Sequence, residues 1–500
     1  MEMLLVGLGN VLQPSVLLMI VFGVLVGVFF GTLPGLTATM GVAVLVPLTF
    51  GMDPLLALLL LTGVYFGGIY GGSITAILLN TPGTPAAAAT TLDGYAMAKR
   101  NEAGRALLIA IVSSVAGGLI GVLVLILVSP QLAQIALEFA SPQKFALAIF
   151  GLSIITAVSG KSIIKGLISG CIGLLIAFVG LDPVTAVPRF TFGQYQLQSG
   201  LSLIPVLVGL FAAAEAFRNV ESRDIAEKIA LEVSGIFKKI KDLFTLWVTI
   251  IRSAIIGVFL GIIPGAGADI AAFASYNEAK RWTRKKSKYA FGEGRPEGIA
   301  APEAAGNALT AGAFIPMLTL GIPGDAVTAV MLGALVIQGI RPGPQIFQEN
   351  GELVYSLFSG MLISYLVLLL VGVLGIRLFM KVLAIPKSIL VPVILTLSVV
   401  GSYAINNNYI DVIIMFCAGL LGYILIKFEF PLSPIILAII LGPMAESEFR
   451  RALVLSDGSM MIFLTSPIAV VLLVLAALSL LSPIVRPYLP KLRAKSNKQD

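Results

Sequence analysis

The chain has 500 residues, of which 58% are hydrophobic and 12% charged, with a formal net charge of +7 and no histidine. Soluble proteins carry about 25% charged residues, so this is the composition of an all-α polytopic membrane protein, embedded in a lipid bilayer. The lack of histidine excludes a histidine-ligated metal, and two cysteines exclude a four-cysteine metal site within one chain. The positive charge lies in short loops and the tail, which marks topology and gives no reason to expect nucleic acid as a partner.

The first apolar segment, about 16–47, is interrupted at Pro34-Gly35. No basic stretch precedes it, so no cleaved signal peptide is expected. The second, about 55–79, is glycine-rich and ends in Asn80-Thr81-Pro82-Gly83-Thr84-Pro85. Its run Gly67-Gly68-Ile69-Tyr70-Gly71-Gly72-Ser73 lacks the Gly-Lys-Ser/Thr ending and the preceding strand of a phosphate loop. That run is either a close packing face or a flexible, substrate-facing segment. A basic loop with Lys99, Arg100 and Arg105 follows, then spans at roughly 106–128, 145–159, 166–181 and 201–217. Ala106 to Val128 and Val354 to Ile376 each run 23 residues without a charge, and about 20 suffice to cross a bilayer. Cys171 and Cys417 lie in apolar spans and read as small buried residues.

Residues 218–242 are mixed in charge, with Ile225, Ile229, Ile236, Phe237 and Ile240 interleaved, which predicts a cytoplasmic amphipathic linker. The linker divides a first transmembrane repeat, 1–217, from a second, 243–485, followed by a basic tail, 486–500. The second half opens on Pro264-Gly265 and continues through the basic loop 278–297. A segment with Glu303, Asn307 and Thr310 precedes Gly321-Ile322-Pro323-Gly324-Asp325, and further spans run to about 485. Ten to twelve spans are expected in all.

The two halves echo one another. Gly31-Thr32-Leu33-Pro34-Gly35-Leu36-Thr37-Ala38-Thr39 answers Gly261-Ile262-Ile263-Pro264-Gly265-Ala266-Gly267-Ala268-Asp269, and Pro82-Gly83 answers Pro323-Gly324. Leu152-Ser153 answers Leu397-Ser398, and the stretch from Cys171 answers that from Cys417. These matches keep their order, as a diverged duplication would. Basic loops in one half face loops of lower positive charge in the other, so the repeat reads as inverted. That orientation puts 96–105, 158–166, 218–242, 278–297, 376–388 and the tail inside, and the N-terminus outside.

Pro lacks an N–H and Gly tolerates positive φ, so Pro-Gly ends a helix. Inside a bilayer such a break survives only where protein or a wet cavity covers it, and paired breaks mark a transporter's substrate site. Half-helix N-termini bind anions through free N–H groups. The candidate substrate residues are therefore Gly31, Pro34, Gly35, Thr37, Thr39, Asn80, Thr81, Pro82, Gly83, Thr84, Pro264, Gly265, Ala266, Gly267, Pro323 and Gly324. Where the first half has Thr39 and Thr84, the second has Asp269 and Asp325. Intramembrane carboxylates are functional by default; each would bind Na⁺ or carry a proton, or else cap the following helix. Glu303 and Asn307, one helical turn apart, either line the same path or leave Glu303 at the cytoplasmic edge.

Gly31-x-x-Pro34-Gly35, Asn80-Thr81-Pro82-Gly83, Gly261-x-x-Pro264-Gly265-Ala266 and Gly321-Ile322-Pro323-Gly324 together resemble the large membrane subunit of the tripartite tricarboxylate transporters. The resemblance implies a bacterial inner-membrane secondary transporter for tricarboxylates or related organic acids. It implies a cation gradient, usually Na⁺, as driving force and no other cofactor. It also implies two partners, a small four-helix membrane subunit and a periplasmic solute-binding protein. A passive channel fits the breaks but not the resemblance. An intramembrane aspartyl protease would use Asp269 and Asp325, but no Tyr-Asp is present and the Gly-x-Gly-Asp spacing fails.

Overall fold

The computed structural model describes residues 2–155, 162–182, 185–221, 240–283, 289–375, 378–379 and 387–485. Most of the expected linker (222–239), the tail, and parts of the basic loops at 284–288 and 380–386 lie outside the described residues. The described chain is helical apart from one short antiparallel ribbon, in which Gly180 pairs with Arg189.

In chain order the principal helices are α1 (Glu2–Val11), α2 (Pro14–Thr32), α3 (Ala38–Leu45), α4 (Pro54–Leu79), α5 (Ala88–Lys99) and α6 (Ala103–Leu137). Next come α7 (Ser141–Ser153), α8 (Ile163–Ala177) and α9 (Leu203–Glu221), the last with a π-helical turn at Gly209–Ala213. The second half supplies α10 (Trp247–Ile262), α11 (Ala268–Trp282), α12 (Glu297–Leu320), α13 (Ala326–Ile337), α14 (Gly351–Leu374) and α15 (Lys387–Asn406). Then follow α16 (Tyr409–Lys427), α17 (Ser433–Leu455) and α18 (Pro467–Val485). Among the described residues seven helices are long and apolar enough to cross a membrane, and shorter apolar helices accompany them. The chain is therefore a multi-pass, all-α membrane protein. At about 1.5 Å per residue, the 35 residues of α6 span more than the roughly 30 Å hydrocarbon core of a bilayer.

Chain contacts define two units, Met1–Gln134 with Ile204–Tyr423, and Ile135–Leu203 with Ile424–Asp500. Each draws on both halves of the sequence. In the first unit, α4 and α12 are buried on nearly every face, the polar side chains of Glu303, Asn307 and Thr310 on α12 included. Small residues let their partners come close. A Cβ at Gly27 would strike the Val64 carbonyl, and one at Gly31 the Gly68 carbonyl. Likewise a Cβ at Gly257 would strike the Ala305 carbonyl, and one at Gly261 would lie 2.6 Å from the Leu309 carbonyl oxygen. The pattern of α2 on α4 thus recurs in α10 on α12. This decides between the two readings of the Gly67–Ser73 run: it lies mid-helix in α4, with Gly67 and Gly71 packed on α2, Gly68 on Ala38 and Gly72 on Thr84.

In the second unit α17 packs on α7 and α8, and α18 on α7. Phe145, Phe449 and Phe463 cluster there, with ring centroids 4.9–5.5 Å apart. Arg189 forks onto Glu446 at 2.7 and 3.2 Å, and Arg450 bridges Glu446 and Asp182. The hydrogen bonds to Glu446 hold the Arg189 guanidinium above its ordinary pKa, so this network keeps its positive charge.

The cysteines correct one expectation. Cys171 and Cys417 are both exposed rather than buried. They sit on apolar helices whose outer faces suit lipid, and a thiol is apolar enough to face it.

Gly261→Ala should lower the thermal unfolding midpoint in detergent, because overpacking against backbone costs about 1–3 kcal/mol. Gly9→Ala, with nothing within 4 Å of the added methyl, should leave the midpoint unchanged or slightly raised, as alanine favours helix by about 1 kcal/mol. Equal midpoints for the two variants would refute the packing account.

Candidate functional site

Both predicted first breaks form, with the same backbone. After α2, Leu33 is extended and Gly35 has φ +88°; after α10, Ile263 is extended and Gly265 has φ +80°. Only glycine adopts that φ without strain. Thr37 then N-caps α3 by accepting from the Met40 N–H at 3.1 Å. Gly267 stands at the same place before α11 and offers no side-chain cap.

The second breaks also correspond. Asn80 ends α4 in the left-handed conformation (φ 57°), and Gly321 ends α12 the same way (φ 70°). Within each half the two breaks touch. A Cβ at Gly83 would strike the Gly31 carbonyl, and one at Gly324 would lie 2.5 Å from the Gly261 carbonyl oxygen. The Gly265 N–H also donates to the Gly324 carbonyl at 2.6 Å. Across the halves, α3 packs on α13, and Pro85–Ala87 packs on α11. Asn80 and Thr81 are exposed, and Thr81 bonds only to the Leu79 carbonyl at 3.3 Å. Thr84 is buried with its hydroxyl unpartnered.

The two aspartates differ. Asp325 is the N-cap of α13 in a capping box: its Oδ1 accepts from the Thr328 N–H at 2.8 Å, and Thr328 Oγ1 accepts from the Asp325 N–H at 2.9 Å. Its other oxygen accepts the Tyr65 hydroxyl of α4 in a short hydrogen bond. Asp269 is the second residue of α11, half-buried, with one oxygen folded back over Gly267. Among the described residues no side chain donates to it. Nor does any hydrogen bond join the two aspartates, as a proton-sharing pair would need.

Glu303 is buried within α12. Its carboxylate accepts from Ser73 (2.5 Å), Thr90 (2.5 Å) and Ser114 (2.9 Å). Asn307 donates to the Glu303 carbonyl at 3.2 Å, and its own Oδ1 has no partner.

Three contributors escaped the sequence reading. Asn219 of α9 donates to the Gly35 carbonyl at 3.1 Å, bracing the first break. Tyr65 lies in an unbroken apolar run that gives its hydroxyl no prominence. Asp93 of α5 is fully buried: its Oδ1 accepts the N–H groups of Gly292 (2.9 Å), Gly294 (2.8 Å) and Arg295 (2.7 Å), and its Oδ2 accepts the Tyr276 hydroxyl (2.8 Å). Nearby, Arg100 stacks on Tyr289 at 3.8 Å and donates to the Gly294 carbonyl at 2.8 Å. Only the Thr-Leu-Asp-Gly sequence hinted at Asp93, and its partners lie some 200 residues away.

Helices broken in pairs, with the breaks in backbone contact and carboxylates beside them, define the class of membrane transport proteins. The chain belongs to the tripartite tricarboxylate transporter TctA family, whose description matches residues 17–437. It is 38% identical over 492 residues to an "uncharacterized 52.8 kDa protein in TAR-I ttuC' 3' region" of Agrobacterium vitis, covering 98% of this chain and 97% of that one. It is also 38% identical over 242 residues to an "uncharacterized protein in TAR-II ttuC' 3' region" of the same organism, covering 48% of this chain and 98% of that one. No solved structure matches the chain.

Tyr65→Phe should lower stability by about 1–3 kcal/mol, the cost of leaving a buried acceptor unsatisfied. Asp325→Asn should cost less, since Asn caps about as well as Asp and its amide can meet the tyrosine oxygen. Thermal unfolding in detergent checks the order; a milder effect for Tyr65→Phe would show that the bond contributes little.

Proposed function

We propose that this chain is the membrane-embedded translocation subunit of a secondary importer of tricarboxylates or related organic acids in the bacterial inner membrane. The observation that carries the reading is the pair of touching helix breaks in each half, in a chain of the TctA family. The halves form an inverted repeat that brings the breaks to the bilayer midplane. Substrate carboxylates bind backbone N–H groups and hydroxyls at 35–39, 81–84 and 265–267, since no lysine or arginine lies in these stretches. The chain moves its substrate without chemically changing it. It works with a small four-helix membrane subunit and with a periplasmic solute-binding protein that delivers the acid.

Import runs on a Na⁺ or proton gradient. Asp269 and Asp325 are the coupling carboxylates, and Glu303 and Asn307 lie on the same path. Of the two aspartates, Asp269 is the freer to take a cation, because Asp325 already serves Thr328 and Tyr65.

The test is uptake of labelled organic acids by proteoliposomes holding all three subunits, with and without a Na⁺ gradient. Asp269→Asn should insert normally and lose most cation-driven uptake, by tenfold or more. Asp325→Asn should keep its fold and lose cation dependence only if the carboxylate does more than cap. Unchanged cation dependence in both variants would place coupling elsewhere. For orientation, cysteines introduced at Ser287 and Ser496 should resist an impermeant thiol reagent in intact cells; labelling of both would reverse the topology.

A further inference from the structure

Glu303 is a buried carboxylate held only by neutral donors. Ser73 on α4, Thr90 on α5 and Ser114 on α6 each turn a hydroxyl toward it. An ionised carboxylate only accepts hydrogen bonds, and these three donors suit that form. Yet no lysine or arginine among the described residues pairs with Glu303. A buried negative charge without a counter-charge is costly.

Two further buried oxygens, one on α12 and one on α4, have no hydrogen-bond partner. Asn307 is fully buried, and its amide nitrogen, bonded to the Glu303 carbonyl, ties the side chain to the Glu303 turn while Oδ1 stays free. Tyr70 is fully buried one turn before Ser73 on α4, and its hydroxyl has no hydrogen-bond partner. A proton on Glu303 would neutralise the charge but leave Asn307 Oδ1 unsatisfied. A cation answers both needs, because every hydroxyl that donates its proton to the carboxylate still offers lone pairs. An all-oxygen donor set selects a hard cation, and one carboxylate balances one positive charge.

We propose that Glu303, Ser73, Thr90 and Ser114, with Asn307 and Tyr70, form a buried site for one monovalent cation, Na⁺, separate from the aspartates at the helix breaks. The site joins three helices of the first half to one of the second, so its occupancy bears on how α12 sits against α4, α5 and α6. That role in coupling rests on the transport reading; the site itself does not.

The experiment is equilibrium binding of ²²Na⁺ to the purified full-length protein in detergent, without substrate, paired with unfolding midpoints in NaCl, KCl and choline chloride. The wild-type protein should bind Na⁺ saturably and unfold at a higher temperature in NaCl than in choline chloride. K⁺ should give the weaker response. Glu303→Gln should bind one Na⁺ fewer and lose that component of the stabilisation. Thr90→Val should weaken binding at least tenfold, and Thr90→Ser should restore it. Should Glu303→Gln fail to fold, the two Thr90 variants decide. Wild-type protein that neither binds Na⁺ nor responds to it, or variants that bind Na⁺ as the wild type does, would overturn the proposal. Uptake plays no part in these measurements, so failure of the transport assay and failure of this one are distinguishable.

Discussion

The architecture depends on backbone meeting backbone where apolar helices stop. An interrupted helix in a bilayer leaves N–H and C=O groups that lipid cannot satisfy. Here each interruption is pressed against another. Gly83 rests on the Gly31 carbonyl, Gly324 rests on the Gly261 carbonyl, and the Gly265 N–H bonds to Gly324. No residue with a Cβ fits at these approaches, and the same constraint extends along the α2–α4 and α10–α12 contacts. The abundance of glycine is thus a consequence of the breaks, since the helices must pack closely enough for their ends to meet.

Three buried carboxylates of the first unit follow a common rule. Asp93, Asp325 and Glu303 are satisfied by backbone N–H groups and hydroxyls, not by arginine. Neutral donors stabilise a carboxylate without cancelling its charge, so the field of each anion persists within the protein. A salt bridge would satisfy the oxygens and extinguish that field. The second unit uses the other solution: Arg189, Arg450, Glu446 and Asp182 neutralise one another. Asp269, with no donor among the described residues, belongs to neither group.

Much of this was readable from the chain because Pro-Gly acts locally. Pro34-Gly35 and Pro264-Gly265 break helices where expected, since the missing N–H and the positive φ of Gly35 and Gly265 are properties of those residues alone; before Pro82-Gly83 and Pro323-Gly324 the left-handed turn falls instead on Asn80 and Gly321. The cap at Asp325 was equally legible, because a capping box needs only neighbours. The cage around Glu303 was not. Its three hydroxyls come from helices 189–230 residues away, and a serine in an apolar span looks the same whether it faces lipid or an anion. Tyr65 and Asp93 were hidden for the same reason. The cysteines were misjudged because burial in a soluble core and exposure to lipid favour the same apolar residues.

The grip of Asp93 on Gly292, Gly294 and Arg295 bears on biosynthesis. The aspartate is made early and its backbone partners about 200 residues later, so α5 is synthesised carrying a carboxylate with nothing yet to hold it. The segment at 292–295 serves as a late keystone: only when it arrives is the earlier half relieved of an unsatisfied charge. Two halves that look like copies are in this respect unequal, one supplying the acid and the other the amides. Severed from the second half, the first would keep the Asp93 carboxyl and lose its hydrogen bonds to Tyr276, Gly292, Gly294 and Arg295.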